Sequence, residues 1–401
     1  MNQGKILYLT YDGLTDPLGQ SQVLPYIEGL TKIGYRFTII SFEKPWHQKK
    51  KEGINERLSN QGIKWRPLSY TKKPPVVSTI YDISRMRRLA FRLHKRDSFD
   101  LIHCRSYIPA LIGCAFTKRK MTPFLFDMRG FWADERVEGG LWNLRNPIFK
   151  LVYNFFKNKE KEFLLHAAGI ISLTYAALHE MQSWIIPADI KTKAYVIPCC
   201  VDTMLFNPAG IDQERRNYLK GELNIKQEYV LVYLGSLGTW YDIRGMLDYF
   251  EKITKTRAAK FLILTNSNKE LVYRELSNHD ILEKDIIVLA ADRNEVPKYL
   301  SIADEGIFLY KEGFSRKACS PTKLGEMMAM GIKVTGNDIG DSKMIFSKYK
   351  VGQLISDGLV SIYGITNPDD IRKGAMNYFS LDKGVESYEK AYGSILERTK
   401  E

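Results

Sequence analysis

Cysteine is scarce in this sequence. Its five residues, at 104, 114, 199, 200 and 319, are odd in number and include no C-x-x-C pair. That argues against a disulfide scaffold or a structural zinc site and leaves reduced cytosolic thiols. Long apolar runs are missing too. The best candidate, 163–181, is broken by His166, Gly169, Thr174 and His179, short of the roughly 18 apolar residues a membrane span needs. The N-terminus, MNQGKILYLTY, has no apolar core or cleavage site of a signal peptide and runs straight into strand. G-x-G-x-x-G, the P-loop, H-E-x-x-H, Cys/His clusters and a strand-end Asp-x-Asp pair are all absent. Dinucleotide binding, P-loop chemistry and a dedicated divalent-metal site therefore have no signature. The histidines at 47, 94, 103, 166, 179 and 279 are scattered and read as structural or exposed.

What is present is an ordinary globular composition, 44% hydrophobic and 26% charged over 401 residues. It excludes disorder and predicts two or three domains. The net charge of +13 is unevenly placed. Residues 1–200 carry 31 Lys and Arg against 17 Asp and Glu, whereas 201–401 carry 28 against 29. The first half suits an anionic surface or partner. No nucleic-acid motif accompanies the charge, so a nucleic-acid partner is not expected.

Short β-branched and aromatic runs alternate with helical patterns. In the first half they fall at 5–11, 36–42, 63–68, 99–103, 124–127, 169–173 and 195–197. After the turn Asn207-Pro208-Ala209-Gly210 the pattern restarts, at 229–234, 261–265, 286–289, 306–310, 332–335 and 351–355. This alternation predicts α/β architecture: two Rossmann-like doubly wound domains facing across a cleft. The expected boundaries are 1–205, 206–385 and a C-terminal helix, 386–401. Val385, Tyr388, Ala391, Tyr392 and Ile395 share one helical face, which is expected to pack back on the first domain.

Open parallel sheets bind ligands beyond the carboxyl ends of their strands, so the loops there matter most. After the first strand, Gly19-Gln20 precedes a helix expected at 22–33, where backbone amides can approach an anion. A second loop, Asp127-Met128-Arg129-Gly130-Phe131-Trp132-Ala133-Asp134-Glu135-Arg136, joins carboxylates, guanidiniums and an aromatic pair. That mixture suits a sugar, stacked on the rings and bonded by the acids. A third, Ser320-Pro321-Thr322-Lys323-Leu324-Gly325-Glu326, reads as a helix start with Ser320 at the N-cap and Pro321 at the first position. Its free amides, hydroxyls and Lys323 suit a diphosphate, and Glu326 lies where a carboxylate can accept bonds from a ribose diol. Gly235 and Ser236 open a fourth loop that also permits close phosphate approach.

At these loops the chain resembles GT-B glycosyltransferases of family 4. The resemblance rests on Val196-Ile197-Pro198-Cys199-Cys200-Val201-Asp202…Phe206-Asn207-Pro208, similar to the family's interdomain segment, and on Ser320–Glu326 with Ala329-Met330-Gly331, similar to its donor-binding helix. Phe99–His103 and Ile171–Thr174 also fit. The pattern departs where Ala318 replaces the first of two acids and Ser236 a common basic residue, with Arg244 as substitute. The resemblance implies transfer of a sugar from a UDP- or GDP-sugar to an acceptor hydroxyl, with retention, in cell-surface polysaccharide or lipid-linked glycan synthesis. It implies donor contacts from Gly19, Gln20, Gly235, Ser236, Arg244, Ser320, Pro321, Thr322, Lys323 and Glu326. Asp127 and Arg129 become the catalytic candidates; Trp132, Asp134 and Glu135 become acceptor contacts. No metal and no cofactor beyond the nucleotide-sugar co-substrate are expected. The rival readings are a nucleotide-sugar 2-epimerase and a non-catalytic nucleotide-binding relative.

Arg85, Arg88, Arg92 and Arg96 share a helical face beside Met86, Leu89, Ala90 and Leu93. This helix, 85–96, is expected to meet an anionic membrane, which suits a glycan or lipid-linked acceptor. The expected location is cytoplasmic, peripheral on the inner face of the plasma membrane.

Overall fold

The computed structural model describes residues 3–45, 48–184, 193–356, 359–365 and 367–399; His47 lies outside them. The chain forms two compact units. The first contains Met1–Val137, Leu141–Pro198 and Leu381–Glu401; the second contains Glu138–Gly140 and Cys199–Ser380. Both crossings fall a few residues earlier than the sequence suggests. Val201 N donates to Phe379 O at 2.7 Å, and Val201 and Phe206 lie fully buried in the second unit's core. The segment after Pro198 therefore belongs to the second unit.

In the first unit seven parallel strands lie in the order β3-β2-β1-β4-β5-β6-β7. They are β1 (Gly4–Thr10), β2 (Tyr35–Glu43), β3 (Lys64–Ser69), β4 (Leu101–Arg105), β5 (Phe124–Asp127), β6 (Gly169–Ser172) and β7 (Ala194–Val196). β4 and β5 are buried along their whole length, as central parallel strands are. The strand order reverses between β1 and β4, the topological switch point of such sheets. The helix expected at 22–33 is two helices, Pro17–Gln22 and Leu24–Lys32. They part at Val23 (φ −128°, ψ −62°), because Pro25 lacks an N–H and its ring excludes a continuous helix.

The helix Leu381–Arg398 buries Gly384, Tyr388, Ala391, Tyr392 and Ile395. It lies against the first unit, where two glycines admit it. A Cβ at Gly29 would sit 2.5 Å from Val385 Cγ2, and one at Gly169 2.6 Å from Ile395 Cδ1.

The second unit repeats the plan, in the order β10-β9-β8-β11-β12-β13-β14. Its strands are β8 (Tyr229–Leu234), β9 (Ala259–Leu264), β10 (Ile286–Leu289), β11 (Glu305–Phe308), β12 (Lys333–Gly336), β13 (Val351–Ser356) and β14 (Leu359–Ile365). Along β8, Val230, Val232 and Leu234 enter one core while Leu231 and Tyr233 enter the other. β14, antiparallel to β13, has no counterpart in the sequence reading. It is an edge strand whose Leu359 and Ile362 are 73% and 74% exposed, so no buried run announces it. Among the described residues no helix is long and apolar enough to cross a membrane.

Candidate functional site

In the second unit the chemistry gathers where β8 and β11 end. The helix Thr322–Ala329, with the good helix formers Lys323, Leu324, Glu326, Met327, Met328 and Ala329, is buried from Lys323 onward. Ser320 is not its N-cap. Pro321 holds that position without a side-chain cap, and Ser320 Oγ instead accepts from Cys199 N at 3.1 Å. The hydroxyl thus ties in the chain that enters the unit, and the helix's first amides lack a side-chain cap. Thr322 is half-buried at the first helical position.

Lys323 projects into a cage of rings. Its Nζ donates to Tyr233 Oη at 3.0 Å and lies 4.2, 4.0 and 5.6 Å from the ring centroids of Tyr233, Tyr241 and Tyr310. Gly235, at φ +127°, makes room: a Cβ there would come within 2.7 Å of Nζ. Among the described residues Lys323 makes no ion pair with a carboxylate. Burial lowers its pKa to about 7, against smaller upward pulls from Cys319 and Glu326. A buried ammonium held by ring faces and one hydroxyl is a cation short of an anion.

Beside it, Glu326 Oε1 accepts from Arg293 Nη1 at 2.8 Å, and Oε2 takes no hydrogen bond among the described residues. Burial raises the Glu326 pKa and Arg293 opposes it. Ser236 contributes its backbone carbonyl, which accepts from Tyr233 Oη at 2.5 Å. Arg244 is exposed in the first turn of the helix Ile243–Thr254.

In the first unit a second cluster sits at the ends of β1, β4 and β5. Asp127 Oδ2 accepts from Tyr388 Oη at 3.0 Å and lies 3.3 Å from His103 Nε2. His103 Nδ1 is 2.7 Å from Tyr392 Oη. Arg129 Nη1 is 3.8 Å from Asp127 Oδ1, a buried oxygen with no hydrogen-bond partner. Arg129 itself takes the left-handed conformation (φ 57°), and its Nη2 donates to Gln22 Oε1 at 3.3 Å. Buried Arg105 lies 3.9 Å from Asp12. Burial pushes the Asp127 carboxyl up, but Arg129, His103 and Arg105 together outweigh it, and the net shift is down. Burial also lowers the His103 pKa, despite Asp127, so the imidazole is held neutral. The result is a fixed, buried carboxylate with one oxygen that lacks a hydrogen-bond partner.

Other expected contacts are spoken for. Gly19 lies inside the helix Pro17–Gln22 rather than before it, and a Cβ there would meet Gly13 O at 2.2 Å. Its missing side chain serves this close packing. Gln20 Nε2 donates to Thr15 O at 3.1 Å. Phe131 is fully buried against Trp184, centroids 5.0 Å apart, so it cannot stack on a sugar. Trp132 packs on Phe156 and Trp142, and Asp134 accepts from Tyr153 and Lys157, each at 2.8 Å. Glu135 is half-buried in the same short helix, Trp132–Glu138.

Sequence reasoning missed His103, Arg105, Tyr388 and Tyr392 here, and Tyr233, Tyr241, Tyr310 and Arg293 in the second unit. The strand-end positions of Arg105 and Tyr233 were available signals. Nothing local marks Tyr388 as a partner of Asp127. Among the described residues no three His, Cys, Asp or Glu side chains gather as a metal-binding group.

Residues 21–205 match Glycosyltransferase Family 4. The fold of the chain is similar to that of a glycosyltransferase from Rickettsia africae ESF-5, with a TM-score of 0.70 and 16% identity over 99% of each chain. It is similar also to sucrose-phosphate synthase from Thermosynechococcus elongatus, with a TM-score of 0.69 and 13% identity over 97% of this chain and 98% of that one. The chain has the fold of the GT-B glycosyltransferases, and the match to their family 4 covers its first half. Its fold is similar also to that of Anabaena HepE, solved with UDP and glucose, at a TM-score of 0.62 and 13% identity over 98% of this chain and 93% of HepE. At such identities these likenesses concern the fold alone. No curated protein sequence matches the chain.

Proposed function

We propose that the protein is a glycosyltransferase that moves a sugar from a UDP- or GDP-sugar to an acceptor hydroxyl, with retention, in the synthesis of a cell-surface polysaccharide or lipid-linked glycan. The observation that carries the donor assignment is Lys323, a buried ammonium caged by tyrosines beside a glycine-lined helix start. A diphosphate supplies the negative charge this group lacks. The helix amides at 322–323 and Lys323 then stabilise the leaving diphosphate as the glycosidic bond to it breaks, without a divalent metal. Glu326 Oε2 receives the ribose diol while Arg293 fixes Oε1. That HepE was solved with UDP supports a nucleotide as the ligand class.

The first unit holds the acceptor. Asp127, ionised and with the buried Oδ1 lacking a hydrogen-bond partner, orients or deprotonates its hydroxyl, and Arg129 stabilises charge beside it. The membrane contact is electrostatic at 85–96. Arg88, Arg92 and Arg96 are exposed, but Met86, Ala90 and Leu93 are buried and Leu89 is half-buried, so the apolar face is spent on the core.

The test is calorimetric titration with UDP, GDP and ADP, followed by product analysis with the binding donor sugar, with and without EDTA. Saturable binding of one nucleotide and EDTA-resistant transfer are expected. Turnover of the donor without any acceptor would replace transfer by epimerisation. Transfer abolished by EDTA and restored by Mg²⁺ or Mn²⁺ would overturn the metal-free step.

A further inference from the structure

The helix Pro147–His166 of the first unit presents an outer face unlike that of 85–96. Ile148, Leu151 and Phe155 are 58%, 72% and 44% exposed, and Leu165 follows at 50%. At about 100° per residue the first three fall within roughly 60° of one another. Lys150 and Lys161 lie together on the adjoining flank, both exposed. Leu141, Leu144 and exposed Arg145 lead into the helix.

The charges decide what fits this face. Across 141–166 no exposed residue is a carboxylate. Glu160 is buried against Tyr107 and Lys157, and Glu162 is half-buried and paired with Lys118 and Lys159. Arg145, Lys150 and Lys161 have no ion-pair partner among the described residues. Six large apolar side chains and three unanswered cations thus share one surface. A second copy of this chain would set like charges against each other. An anionic lipid surface answers both features: acyl chains receive the leucines and phenylalanine, and headgroups receive the cations.

We infer that the outer face of Pro147–His166, with the turn before it, is the membrane-inserting anchor of this glycosyltransferase. The inference rests on the peripheral-membrane part of the reading above and is independent of the donor and acceptor assignments. The arginines of 85–96 attract the surface; Leu151, Phe155 and Ile148 enter it.

Flotation with phosphatidylglycerol/phosphatidylcholine vesicles and with phosphatidylcholine alone tests it. The wild type should float with the anionic vesicles at low salt and far less with the neutral ones. Leu151→Asp with Phe155→Asp should cut partitioning roughly tenfold or more. Both positions are exposed, so the thermal melt should be unchanged. Leu151→Trp should show a blue-shifted emission on vesicle addition. If that double variant binds as the wild type does while Arg88→Glu with Arg92→Glu abolishes binding, this inference falls and the electrostatic contact stands. If the wild type does not float, both fall. Concentration-dependent dimers that the aspartates dissolve, with no vesicle binding, would make the face a self-association surface and overturn the proposal.

Discussion

The two units follow one plan and furnish it in opposite ways. Each has seven strands, with its order reversing between β1 and β4 or between β8 and β11. At the first reversal the polar groups answer one another: Asp127 faces the Arg129 charge and the hydrogen-bonding His103 and Tyr388, and Asp12 faces Arg105. Burial alone would raise the Asp127 carboxyl, but the Arg129 and Arg105 guanidiniums and the His103 hydrogen bond hold it ionised. At the second reversal Lys323 meets ring faces and a phenol, with no carboxylate paired to it among the described residues, and burial carries its pKa down to about 7. The cluster that balances itself suits a neutral polyol that needs orienting. The unbalanced cation suits an anion that binds and leaves. A shared fold therefore says little about which substrate each half takes; the local charge balance says more.

Substitutions can break this contrast. Asp127→Asn should lower kcat about a hundred- to thousandfold, the usual loss for a preorganised charged group, with nucleotide affinity unchanged. An equal loss of nucleotide affinity would erase the division between the units. Lys323→Met should weaken nucleotide binding about ten- to hundredfold, since a charge-assisted bond is worth ~1.5–3 kcal/mol. The same change should raise the Tm of the free protein at pH 6, because it removes a buried ammonium that pays for its desolvation there. A lower Tm would assign Lys323 to the core instead. Glu326→Gln should cost roughly tenfold in nucleotide affinity and leave acceptor KM alone. Tyr388→Phe is the mildest change, ~0.5–1.5 kcal/mol from one hydrogen bond. It removes a donor to the Asp127 carboxylate, so the acid limb of the pH–rate profile should move to higher pH.

Much of this was readable from the residues. Strand runs such as 124–127 and 229–234 end where the observed strands end, because parallel strands buried on both faces must be short and apolar. The spacing of Tyr388, Ala391, Tyr392 and Ile395 marked the inner face of the last helix. What that helix does at the site was not readable. The Tyr388–Asp127 bond spans 261 positions, and no local pattern encodes it. The aromatic cage has the same cause: Tyr233, Tyr241 and Tyr310 come from three loops and strands that only the sheet order unites. Ser320 was misread because a serine before proline has the N-cap signature, and its bond to Cys199 N is a tertiary choice. Phe131 was misread because an aromatic residue at a strand end looks alike whether it packs inward or stacks on a sugar.

The most direct measurement is proton uptake on nucleotide binding. Free Lys323 loses its proton as pH rises through about 7, well below the ordinary lysine value, and a bound diphosphate restores it. Calorimetry of UDP or GDP binding at pH 8, in buffers of different ionisation enthalpy, should therefore show close to one proton taken up. Affinity should fall between pH 7 and 9, by up to about tenfold per unit. Lys323→Met should abolish both effects. Tight binding to the wild type with no proton uptake, or the same pH slope in the variant, would contradict the assignment of Lys323 as the diphosphate's partner.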